Sequence, residues 1–170
     1  MSAYNITTIL VAVLCTTSAF ADDELPPDLS GSYLCKATAS AGIWRDPSDK
    51  QWRSSTFKAD NATLLKVKFT GTTGKYELLD MPFRLYEVTV KDFGSDGDGF
   101  ACTVSNSEPG EYRKVRSTND AIRCSVFATD YWFALERKKY QAVYDGGYMH
   151  LEENTDTPAI MVGICDKVDP

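Results

Sequence analysis

Histidine is almost missing from this sequence: His150 is the only one. Any Ser-His-Asp or Cys-His arrangement must use it, and no G-x-S-x-G nucleophile turn exists for it to serve. Also absent are H-E-x-x-H, a phosphate-cradling glycine loop and a dinucleotide fingerprint, so no cofactor is expected. No Cys-x-x-Cys pair occurs, which together with the single histidine argues against structural zinc. Clustered cations are missing too. Arg113, Lys114 and Arg116, and Arg137-Lys138-Lys139, are short groups flanked by Glu111 and Glu136, in a chain of formal charge −6. Phosphate contacts need more than that, so neither nucleic acid nor an anionic membrane surface is an expected partner. No window carries apolar residues at helical spacing with proper caps. No apolar run is long enough to stay in a bilayer as a helix.

What is present begins with the first 21 residues. Ile6 to Val13 is a short apolar run, and Ala19-Phe20-Ala21 stands immediately before Asp22-Asp23-Glu24. A short hydrophobic core ending in an A-x-A site is the pattern of a secretory signal cleaved after Ala21. The expected organisation is therefore a signal peptide over 1–21, an extended leader over 22–30 containing Pro26-Pro27, and one domain over 31–170. The expected location is periplasmic or secreted, with no transmembrane segment in the mature chain.

That location decides how the cysteines are read. Cys15 leaves with the signal, and Leu14 before it does not suit a lipobox. Cys35, Cys102, Cys124 and Cys165 remain, and an even number in an exported chain of this size indicates two disulfides. Four cysteines allow three pairings. Cys35 lies in the first candidate strand and Cys165 in the last, while Cys102 and Cys124 lie in consecutive strands across the connection from Asn106 to Asp120. A sheet closing on itself would thus favour Cys35–Cys165 and Cys102–Cys124.

The mature sequence alternates with period two in short runs. Tyr33, Cys35, Ala37 and Ala39 share one face of the opening run. Leu65, Val67 and Phe69 follow, then Tyr86, Val88 and Val90; Phe100, Cys102 and Val104; Ile122, Cys124 and Val126. Tyr131, Phe133 and Leu135 come next, then Tyr140, Ala142 and Tyr144, and last Ile160, Val162 and Ile164. Turn compositions separate the runs: Asp46-Pro47-Ser48-Asp49, Gly71-Thr72-Thr73-Gly74, Gly94 to Gly99, Pro109-Gly110 and Asp145-Gly146-Gly147. The expected fold is all-β: a single-domain antiparallel β-barrel of nine or ten strands, with a two-sheet sandwich as the alternative.

Three tryptophans are the candidate ligand-binding residues. Trp44 and Trp52 flank a hairpin end; if Asp46 faces Lys50, then Trp44 faces Trp52 and Gly42 faces Ser54, giving a cross-strand aromatic pair. In Tyr131-Trp132 one ring should point inward and the other outward. Metal ligation is not expected. Asp92 to Gly99 carries Asp-x-Asp-Gly, but an EF-hand register from it places Ser107 where a glutamate is needed. Glu152, Glu153 and Asp156 form a second acidic loop. A carboxylate pair hydrolysing a glycosidic bond needs two groups at a set separation in a cleft, and no pair in the sequence declares itself. Asn61-Ala62-Thr63 is a glycosylation sequon.

The arrangement Tyr33-x-Cys35, Gly42-Ile43-Trp44, Trp52 to Phe57, Leu64 to Phe69, Cys102, Ile122-Arg123-Cys124, Gly147-Tyr148 and Asp156-Thr157-Pro158 to Gly163-Ile164-Cys165 resembles a group of small exported proteins of alphaproteobacteria. That resemblance implies compartment and cysteine pattern, and no activity. Separately, Leu29-Ser30-Gly31-Ser32-Tyr33 is similar to the Leu-x-Gly-x-aromatic opening of calycin-type barrels, with Tyr33 where that family places Trp. Those barrels include small-ligand carriers and protease inhibitors. The expected function is that of an exported, non-enzymatic binding protein for a small ligand or an envelope or extracellular protein. The alternatives are an inhibitor of an envelope or extracellular hydrolase, and a carboxylate-pair glycan hydrolase.

Overall fold

A computed structural model describes residues 24–76, 78–104, 113–146 and 156–168. The strands are β1 (Gly31–Arg45), β2 (Trp52–Phe57), β3 (Ala62–Tyr76), β4 (Met81–Asp92), β5 (Phe100–Ala101), β6 (Lys114–Thr118), β7 (Ala121–Val126), β8 (Thr129–Ala134), β9 (Lys139–Tyr144) and β10 (Ala159–Val168). All pairings are antiparallel, and the described residues contain no helix. The hydrogen-bonded path runs β10–β9–β8–β7–β6–β4–β3–β1, and β10 pairs β1 again, so it returns to its start. β2 extends beside the second half of β1, and β5 sits beside β4.

Alternation explains which side chains fill this ring. Leu65, Val67, Tyr86, Val88, Val115, Ile122, Phe133, Tyr140 and Ala142 point inward and are buried together. Phe133 lies nearly parallel to Tyr131, ring centroids 5.5 Å apart, and also stacks on Tyr140 at 6.1 Å. Each large apolar side chain so buried contributes about 1.5–3 kcal/mol. Both disulfides form as the topology favoured. Cys35 and Cys165 are partners in the β1–β10 register, and Cys102 joins Cys124.

Several sequence expectations are corrected. The Trp44–Trp52 pair does not form: Trp44 faces Arg53, Trp52 faces Arg45, and Gly42 faces Ser55. The cause lies in the turn. Asp46 N–H donates to Gln51 O and Lys50 N–H to Asp46 O, with Lys50 in the left-handed region, so Asp46 closes against Gln51 rather than Lys50. A one-residue slip moves a side chain to the other face, and the two indoles therefore lie on opposite faces. Ala39 is not on the face of Tyr33, Cys35 and Ala37. The β1–β10 register shifts between Ala37 and Ala39, and the extra residue turns Ala39 outward.

Gly71-Thr72-Thr73-Gly74 is no turn but lies inside β3. Phe69 faces Tyr86 and Thr73 faces Arg84, so Thr70, Gly71 and Thr72 stand against Leu85 alone. Gly71 supplies a left-handed φ of 82°, and the Thr70 hydroxyl donates to Leu85 O. The connection from Asn106 to Asp120 holds a strand of its own, β6, between β4 and β7. Lastly, the packed unit reaches back before Gly31. Leu29 is fully buried, and Arg84 Nε donates to Pro26 O at 2.8 Å.

Candidate binding surface

Trp132 points outward from β8, as Tyr131 turns inward beside it. Its neighbours in the same outer row are Arg123 on β7 and Gln141 on β9, with Val162 next on β10. The Arg123 guanidinium lies 4.7 Å from the indole centroid, a cation–π contact that fixes both side chains. The adjacent outer row is Ser125, Asp130, Val143 and Ile160. Ser125 Oγ donates to Asp130 Oδ1. Between these rows runs an open groove of about 520 Å3, with Thr103 and Val104 at its margin.

One end of that groove leads to the β7–β8 turn, where Val126 faces Thr129 and only Phe127 and Ala128 connect them. Phe127 has φ 51° and is 83% exposed. Two-residue hairpin turns call for glycine or asparagine at positive φ, because a β-carbon there crowds the backbone. The β6–β7 turn obeys that rule with Asn119 at φ 55°. The β7–β8 turn does not. Phe127 packs edge-on against Phe100, which is 56% exposed, with centroids 4.8 Å apart. Phe100, read with Cys102 and Val104 as one alternating run, is exposed where Cys102 is buried, and Phe127 was not singled out by the sequence.

Trp44 and Trp52 contribute to no shared pocket here, since they lie on opposite faces of the β1–β2 ladder. In the acidic turn, Ser95 N–H and Oγ donate to Asp92 O, and Lys91 Nζ donates to Gly97 O at 2.7 Å. Among the described residues no three of His, Cys, Asp and Glu converge on one point. His150, Glu152 and Glu153 lie outside the described residues, while Asp156 accepts from the Tyr144 hydroxyl at 3.0 Å.

Three carboxylates, Asp28, Asp46 and Asp60, are shifted downward. Asp46 is held below the usual range by the hydroxyl and amide of Ser48 and by nearby Arg53, and Asp60 by Lys58. Asp28 is raised by burial, but the hydroxyl and amide of Ser30 outweigh that and bring it below its ordinary value. A general acid working at neutral pH needs the opposite shift, so none of these three suits that role. Compared with known proteins, the chain matches no family model, no curated protein and no solved structure.

Proposed function

We propose that this chain is an exported, non-enzymatic binding protein on a closed, calycin-like antiparallel barrel, working in the periplasm or outside the cell on a protein partner. Hydrogen bonding that returns to its first strand supports the barrel. Two disulfides support an oxidising compartment. One observation carries the functional reading: Phe127, strained at φ 51° and 83% exposed, braced by Phe100. Backbone strain of this kind costs about 1–3 kcal/mol, and a fold keeps it where the surroundings impose it or where the side chain is used. A rigid two-residue turn presents an aromatic ring with little entropy left to lose on binding. Aromatic residues of this sort anchor protein interfaces.

The reading favours a protein over a small apolar ligand because the ring interior is occupied by its own side chains. Inhibition of an envelope hydrolase is the form such binding takes if Phe127 enters the partner's cleft. The test compares immobilised wild-type protein with Phe127→Asn, which keeps the turn conformation and removes the ring. An envelope protein retained by wild type and lost from Phe127→Asn is expected. Equal retention by both, or by neither, would sink the reading.

A further inference from the structure

On the other side of Trp132 the outer face changes character. Ile160, Val162 and Ile164 all point outward from β10 and are 43%, 42% and 47% exposed. The outer face of an antiparallel sheet ordinarily carries polar residues at such positions. Trp132, Ala134, Val162 and Ile164 line a groove of about 470 Å3, with Arg137 and Lys139 at its edge. It shares Trp132 and Gln141 with the groove that leads to Phe127 and otherwise lies apart from it.

The charged side chains that line this groove, Arg137 and Lys139, are both cationic, although the chain as a whole is acidic. Ile164 faces Lys139 on β9 and Lys36 on β1, so one apolar residue stands between two exposed ammonium groups in a single outer row. Neither lysine has an acidic partner among the described residues. The acids nearby are already engaged. Asp166 pairs with Lys138 at 3.2 Å, Asp120 pairs with Arg137 at 2.7 Å, and Asp130 is bonded to Ser125 beyond the indole. Glu136 is exposed in the β8–β9 turn.

We propose that this groove binds a single anionic amphiphile, an acyl or alkyl chain ending in a carboxylate or sulfate. The chain lies along Val162 and Ile164 beside Trp132 and Ala134, a stretch of about 7 Å at strand rise between the two aliphatic residues. The head group sits between Lys36 and Lys139 on either side of Ile164. The hydrophobic half supplies most of the affinity and the lysine pair selects the charge. A planar anionic membrane fits less well, because the whole protein's charge of −6 faces such a surface, whereas a monomeric ligand meets only the local field. This site is independent of the Phe127 tip and stands or falls separately.

The test uses the full chain and dodecanoate below its micelle-forming concentration, read by methyl and indole NMR. Shifts are expected at Val162, Ile164 and Trp132, with Leu65, Val88 and Ile122 unmoved. Lys36→Glu with Lys139→Glu is expected to weaken dodecanoate about tenfold, as loss of two exposed charge contacts would, and to leave neutral dodecyl maltoside unchanged. Ile164→Thr, which retains a strand-forming shape, should weaken both probes and serves if the charge variant does not fold. Shifts at Leu65, Val88 or Ile122 would move the ligand inside the ring and overturn the proposal. Binding to phosphatidylglycerol vesicles without binding to monomeric dodecanoate would assign the face to a membrane instead. A dimer in light scattering that Val162→Glu dissociates would assign it to a second copy.

Discussion

The Tyr86 hydroxyl and the Leu29 backbone are bound to one another inside the ring. Leu29 N–H donates to Tyr86 Oη at 3.1 Å, and that hydroxyl donates to Pro27 O at 3.3 Å. Tyr33 completes the attachment by donating to Leu29 O at 2.9 Å. The segment before β1 is thereby fastened to two strands that are not adjacent in sequence, and Leu29 closes one end of the core. Tyr86→Phe removes both bonds and leaves the buried Leu29 amide unpaired. We expect a loss of about 1–3 kcal/mol in urea unfolding, and faster proteolysis before Gly31.

The two disulfides brace unequal lengths of chain. Cys35–Cys165 spans 130 residues and Cys102–Cys124 spans 22. On loop-closure entropy the first restricts the unfolded chain by about 5 kcal/mol and the second by about 3. Removing the first pair as alanines should therefore lower the denaturation midpoint more than removing the second. Equal losses would mean that the unfolded chain retains structure across the seam.

Gly163 lies where β10 meets both β1 and β9. A β-carbon there would sit 2.1 Å from Lys36 O and 2.5 Å from Tyr140 Cε1. One of these neighbours is backbone in the closing ladder, which cannot yield cheaply. Gly163→Ala is expected to cost about 1–3 kcal/mol, with amide exchange rising along β1 and β10. Gly71→Ala, where no atom lies within 4 Å, tests backbone conformation alone through its positive φ.

Alkaline pH should unfold the protein through its tyrosines. Burial raises Tyr33, Tyr86, Tyr131 and Tyr140 above their ordinary value, and the Asp92 carboxylate adds to the effect at Tyr131. In the folded state these phenols hold protons that the unfolded chain releases near pH 10. Their contribution is complete below that point and falls as pH rises toward the folded values. Stability measured by denaturant should decline above about pH 10, and Tyr131→Phe should reduce the slope.

The two ends of the candidate surface differ in how far sequence revealed them. Trp132 was legible, because adjacent aromatic residues in a strand must face opposite ways and Phe133 is plainly core. Phe127 was not. Its meaning depends on Val126 pairing with Thr129, which leaves two residues for the turn, and no local pattern states that register. Lys36 and Lys139 read as ordinary solvated charges until β9, β10 and β1 bring them to either side of Ile164.

The sequence by itself determined most strands and much of the inward set, because alternation is a property of neighbours along the chain. It left out β6, and Ile160, Val162 and Ile164, the apolar set of the last run, face outward. Cys35, Leu65, Val88, Ile122 and Phe133 are buried where period two puts them. It also marked the two cysteine pairs, once the first and last runs are taken as neighbours. Only tertiary structure decided where alternation breaks: the bulge before Ala39, the unequal run opposite Leu85, and the turn that separates Trp44 from Trp52. Each is a slip of one or two residues between strands. Such a slip is settled by which partner closes the hydrogen bonds; a slip of one residue reverses the face of the side chains that follow, whereas the two extra residues opposite Leu85 preserve it.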